Sequence, residues 1–322
     1  MKRTLYHITM AALAASLTAH AVEPLKQWKD SVRVSVAQMN ITDKDLQGGR
    51  DRVDALLPWM DKALAEKTDL LVFPEYLLGA FKLDDPLITK LRAEVKKRGM
   101  NVIVGGWEYM PEAVIKHPPD PQTYANSVLV LNRKGEIAGK HWKMHSAVGA
   151  ASPYCWPPAA DERGELTMIP GKQNGVVDLD FGRVGLLTCY DGYFPETFMM
   201  PSLRGAEVLV WVNSRGGMVE PHIMQAASFQ TTTHVVSSNT SNGCGSAIVS
   251  YPGWRVDAAA PEPGSEKLIT ATLDLAELRT QRVNSRMFHQ RRPDAYKTLS
   301  EKWEPWKAYP HIKPFSYEDP KP

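Results

Sequence analysis

Val184-Gly185-Leu186-Leu187-Thr188-Cys189-Tyr190-Asp191-Gly192-Tyr193-Phe194-Pro195-Glu196 is the stretch on which the reading of this chain turns. A buried apolar strand delivers a cysteine to its end, an Asp-Gly turn follows, and a helix opens on Pro-Glu. A thiol in that place meets the backbone N–H groups of a turn and of a helix N-terminus, both of which favour an anion. Buried cysteines are most often inert packing residues. The surrounding turn argues for a reactive thiol instead.

Outward from that stretch, apolar runs of strand length alternate with segments of helical period. Strands are expected at Val32–Ala37, Asp69–Phe73, Asn101–Gly105, Ala125–Leu131, Glu136–Gly139, Gly175–Leu179, Val184–Thr188, Val208–Val212, Val235–Ser238, Ala247–Val249 and Leu268–Leu273. Helices are expected at Asp51–Ala65, Leu87–Arg98, Glu196–Arg204 and Pro221–Thr233. Val- and Leu-rich strands interleaved with helices indicate an α/β fold whose sheets are covered by helices.

Two further stretches could carry chemistry. Leu71-Val72-Phe73-Pro74-Glu75 leads a buried strand directly into a proline and a carboxylate. Side chains at the end of a sheet strand are held rigidly where a loop opens a crevice, although Glu75 alone could simply solvate the strand end. Lys140-His141-Trp142-Lys143-Met144-His145 packs two lysines and two histidines into six residues. Taken by itself it reads as a charged surface turn. A zinc pair at His141 and His145 is the rival reading, but the HExxH glutamate is absent and no third ligand stands out.

Together, in order and spacing, these stretches resemble the carbon–nitrogen hydrolase (nitrilase) superfamily from about Val32 to about Tyr296. Phe73-Pro74-Glu75 resembles its glutamate motif and Lys143-Met144-His145 its lysine motif. Cys189-Tyr190-Asp191 with Phe194-Pro195-Glu196 resembles its cysteine motif. Asn126-Ser127, Pro170-Gly171 and Arg204-Gly205-Ala206 agree as well.

The resemblance implies a single four-layer α-β-β-α sandwich, commonly assembled into homo-oligomers. It also implies a mechanism. Glu75 is the general base that takes the thiol proton, and Cys189 is the nucleophile. Lys143 and the backbone N–H of Tyr190 hold the oxyanion. Water then hydrolyses the thioester, and no metal or organic cofactor is required. Many members place a second glutamate between the lysine and cysteine motifs. Here Glu165 and Glu162 are the candidates, Glu165 being preferred. Members often carry Arg-Ala-Xaa-Glu in the helix after Asn213, where this chain reads Ala227-Ser228-Phe229-Gln230.

The pair Tyr190-Asp191 is closer to amide and carbamoyl hydrolases than to true nitrilases, so the expected partner is a small-molecule amide or carbamoyl compound. Trp107, Tyr124, Trp156, Tyr193 and Phe194 are candidates for an apolar pocket wall, and Asn213 and Ser214 for holding substrate. Arg215 is placed to bind a substrate carboxylate, as an N-carbamoyl amino acid needs.

Composition narrows the setting. Lys2 and Arg3, an apolar run through Leu17, and Ala19-His20-Ala21 read as an export signal cut after Ala21, leaving 322 − 21 = 301 residues. No membrane span is expected after that cut. The domain is expected over residues 22–300. Residues 301–322, rich in proline and aromatics, read as an extended arm. A formal net charge of +2 without a basic cluster excludes the electrostatic footprint of a nucleic-acid binder. Three cysteines, Cys155, Cys189 and Cys244, leave an odd thiol in an oxidising space. Cys189 is taken as the free one, which permits a Cys155–Cys244 bridge.

Overall fold

Residues on the strands are apolar on both faces, and their two-residue period sorts them into separate cores. In the computed structural model, which describes residues 22–26, 28–109, 124–147 and 168–311, Val34 and Val36 of β1 (Ser31–Gln38) enter one core and Ala37 another. The same split separates Leu70 and Val72 from Leu71 in β2 (Leu70–Val72). In β8 (Arg183–Thr188) it separates Val184 and Leu186 from Leu187. A strand buried on both sides must be covered on both sides.

The first sheet runs β13-β1-β2-β4-β5-β6, with β3 (Ala80–Phe81) paired to β4. Its remaining members are β4 (Asn101–Tyr109), β5 (Tyr124–Leu131), β6 (Ile137–Trp142) and β13 (Lys267–Asp274). The second runs β12-β11-β10-β9-β8-β7. It is built from β7 (Val176–Asp178), β8, β9 (Val208–Val212), β10 (His234–Ser238), β11 (Ser246–Val249) and β12 (Ala258–Ala260). One core lies between the sheets and holds valines from both. A second lies between the first sheet and helices α1 (Arg52–Ala65) and α2 (Pro86–Arg98). The third lies between the second sheet and α3 (Pro195–Leu203) and α4 (Pro221–Thr231). Three cores in sequence make the four-layer α-β-β-α sandwich.

β1, β2 and β4 are mutually parallel, as are β8, β9 and β10. Their C-terminal ends therefore gather the loops that follow them. Helix starts are chemically marked: Asp51 caps α1 in a reciprocal box with Asp54, and Pro86, Pro195 and Pro221 open α2, α3 and α4.

The structure departs from the sequence reading in several places. The lysine stretch is not a surface turn: Lys140, His141 and Trp142 are the last residues of β6, paired to β5. β12 is three alanines, without the β-branched residues that signal a strand. Helix α5 (Leu275–Val283) was not foreseen; it sends Leu275 and Leu278 into the inter-sheet core. Arg279 of α5 reaches Glu207 at 2.6 Å. Within the stretch read as an arm, Pro305–Ala308 forms a 3₁₀ turn and Trp303, Trp306 and Tyr309 are exposed. No described helix is long and apolar enough to cross a membrane. The export stretch, residues 1–21, lies outside the described residues.

Candidate active site

Cys189 follows β8 with φ +46°, a left-handed conformation that is unusual for a residue with a Cβ. Such strain costs about 1–3 kcal/mol and persists only where neighbours fix it. Here they do. The Trp211 indole N–H donates to the Cys189 carbonyl at 2.8 Å, and Trp211 is fully buried. Gly192 is required two residues past Tyr190, because a Cβ there would stand 2.1 Å from the Trp211 ring.

Asp191 organises the turn. Its buried carboxylate accepts from Thr188 N at 3.1 Å, Met144 N at 3.1 Å, His145 N at 2.9 Å, His145 Nδ1 at 2.9 Å and His141 Nε2 at 3.2 Å. Burial alone would raise the carboxyl's pKa. The hydrogen bonds from His141 and His145 outweigh it and hold the group well below the usual carboxylate range. His141 Nδ1 accepts from Gly175 N at 3.2 Å, so its proton sits on Nε2. The His145 ring stacks on Phe194 with centroids 3.8 Å apart. The two histidines weighed as a zinc pair thus aim these nitrogens at one carboxylate, and their effect is to tie the cysteine turn to the backbone just after Lys143.

Glu75 and Lys143 are both buried, and Lys143 Nζ stands 3.4 Å from Glu75 Oε1. Asn126 Nδ2 donates to the same oxygen at 2.6 Å and to the Tyr76 hydroxyl at 2.9 Å. Tyr76, like Cys189, is left-handed, at φ +66°. Gly105 lets the strands approach here: a Cβ on it would lie 3.0 Å from Glu75 Cα. Across the sandwich, Glu75 N donates to Asn213 O at 3.2 Å. Asn213 follows β9, whose Val212 pairs with Thr188 beside Cys189. The ends of β2, β6, β8 and β9 therefore bring Glu75, Lys143 and the Cys189 turn to one place.

The substrate candidates divide. Tyr190 is half-buried and meets Tyr193 and Phe194 edge-to-face at 5.5 and 5.4 Å. Asn213 is fully buried and its amide donates to Trp211 O and Ser237 Oγ, so these bonds bind strands rather than face outward. Ser214 is half-buried beside it. The Tyr193 hydroxyl donates to Glu220 at 3.0 Å. Arg215 corrects an expectation: its guanidinium donates to both Glu220 oxygens at 2.7 Å, contacts the Tyr193 hydroxyl, and lies over the Tyr193 ring. A guanidinium already neutralised in that way is not poised for a substrate carboxylate. Glu165, Glu162, Trp156 and Cys155 lie outside the described residues, and Cys244 is a buried free thiol. Sequence reasoning missed Tyr76, Trp211 and the roles of Asn126 and Asp191. Only Asn126 and Asp191 fell within motifs that could have flagged them.

The model of the carbon–nitrogen hydrolase family matches residues 33–283. The chain belongs to the carbon–nitrogen hydrolase family. Among curated members it resembles a citrullinase of Francisella tularensis, 26% identical over 55% of this chain and 66% of that protein. That match spans just under two thirds of the citrullinase. It also resembles the omega-amidase NIT3 of Saccharomyces cerevisiae, 23% identical over 84% of this chain and 96% of the relative. A carbon–nitrogen hydrolase crystal structure from Helicobacter pylori superposes with a TM-score of 0.64 at 18% identity. It covers 85% of this chain and 99% of that one, which is a likeness of fold.

Proposed function

We propose that this carbon–nitrogen hydrolase is an exported thiol amidase that cleaves an amide or N-carbamoyl bond through a thioester on Cys189. The observation that carries the reading is the buried Lys143–Glu75 contact of 3.4 Å, tied through Asp191 and Asn213 to a cysteine in a left-handed turn. The omega-amidase and citrullinase relatives support the bond type.

Glu75 takes the Cys189 proton as sulfur attacks the carbonyl carbon, giving a tetrahedral oxyanion held by Lys143 and the Tyr190 N–H. On collapse the C–N bond breaks and protonated Glu75 gives its proton to the leaving ammonia or amine. Water, deprotonated by Glu75, attacks the thioester; the acid departs and the thiol is restored. Asn126 keeps Glu75 aimed throughout.

Intact-protein mass spectrometry on wild type and Cys189→Ala, with amides and N-carbamoyl amino acids, tests this. An acyl-sized adduct and turnover confined to wild type are expected. Turnover by Cys189→Ala would remove Cys189 from the chemistry. A free thiol that no compound acylates would favour a binding role for the fold.

A further inference from the structure

The first sheet's wall of the site is aromatic. The alternation of β4 turns Ile103 into the inter-sheet core, and Trp107, four residues on, points to the same face. Yet Trp107 is 39% exposed, the one exposed residue of a buried strand. Among the described residues the inter-sheet core does not extend to it.

Trp107 is paired directly opposite Asn126, the residue that holds Glu75. Its indole meets Tyr76 edge-to-face at 5.2 Å and Tyr124 at 6.1 Å, and Tyr124 in turn meets Tyr109 at 5.6 Å. A row of rings therefore leads outward from the general base. On the second sheet's side Tyr190 adds another ring. The arginine on that side, Arg215, is neutralised by Glu220.

We infer that the site takes amides whose acyl group is uncharged and aromatic, its ring seated against Trp107 beside Tyr76. This rests on the amidase reading above and deepens it. Rings in offset or edge contact gain beyond plain area burial. An apolar acyl group also keeps the paired Arg215–Glu220 intact, whereas a carboxylate seated against Trp107 would have to be desolvated; among the described residues the cation over these rings is Lys82, at Tyr109 on the outer end of the row.

The test compares phenylacetamide, propionamide and succinamate on wild type, Trp107→Ala and Trp107→Phe. In wild type, kcat/KM for phenylacetamide should exceed that for propionamide by about tenfold or more, with succinamate lowest. Trp107→Ala should cut the phenylacetamide-to-propionamide ratio about tenfold, and Trp107→Phe should restore most of it. Equal use of propionamide, preference for succinamate, or a ratio unmoved in Trp107→Ala would each overturn the inference while leaving the amidase reading standing. Absence of turnover on all three and on N-carbamoyl amino acids, with Cys189 free, would instead sink the amidase reading, and this inference with it.

Discussion

Replacing Asp191 by Asn tests whether one buried carboxylate aligns the whole site. Five donors converge on it: Thr188 N, Met144 N, His145 N, His145 Nδ1 and His141 Nε2. An amide oxygen in the place of Oδ1 keeps Met144 and His145. The amide N–H₂ in the place of Oδ2 then faces the N–H groups of Thr188 and His141, both of which need an acceptor. His141 cannot escape by moving its proton, because Nδ1 already accepts from Gly175 N and the change would orphan that group. Each orphaned buried donor costs about 1–3 kcal/mol, so the pair costs roughly 2–6 kcal/mol. For a chain of this size that lowers Tm by about 3–10 °C.

The activity effect follows from the same contacts. Met144 and His145 follow Lys143 directly, and a displacement of about 1 Å at a catalytic group can cost on the order of 10²-fold in rate. Thermal unfolding and steady-state kinetics at pH 7.5 read both. Because the folded Asp191 pKa is depressed, its contribution is complete above the unfolded value near pH 4. The Tm gap between wild type and Asp191→Asn should close as pH falls below that, through the folded pKa. A Tm within about 2 °C of wild type together with unchanged kcat would refute the reasoning.

Gly192→Ala forces a Cβ to 2.1 Å from a Trp211 ring that has no room to move; overpacking should cost about 1–3 kcal/mol and slow iodoacetamide alkylation of Cys189. Gly216→Ala, which meets nothing within 4 Å, is the control that should change neither. Asn126→Ala removes the 2.6 Å donor to Glu75; a bond to a charged group contributes about 1.5–3 kcal/mol, so kcat/KM should fall on the order of 10–100-fold, and a smaller loss would take Asn126 out of the machinery. His234 is buried and burial pushes its pKa down, against the hydrogen bond to the Asp274 carbonyl. Below about pH 6.5 the unfolded chain therefore binds a proton that the fold refuses, and stability should drop as pH falls toward the folded value. Urea unfolding at pH 7.5 and 5.5 should show that His234→Gln loses this slope; an identical slope in wild type and variant contradicts the assignment.

The sequence by itself determined the layers and the chemistry's ingredients. Val184, Leu186 and Leu187 announce a strand buried on both faces, and a two-residue period is local information that needs no partner to be read. The order of Glu75, Lys143 and Cys189 is likewise written along the chain. Elements without a local signal escaped. The alanines of β12 are strand because β11 pairs with them, and Lys140–Trp142 are strand because β5 does. Only the tertiary structure decided what surrounds the site. That Cys189 is left-handed depends on Trp211, that Glu75 is aimed depends on Asn126 51 residues away, and that His141 and His145 serve Asp191 depends on a carboxylate 50 and 46 residues away. Hydrogen bonds over such separations are fixed by which strands neighbour one another within a sheet and by how the two sheets stack, and side-chain period along one strand carries no record of either.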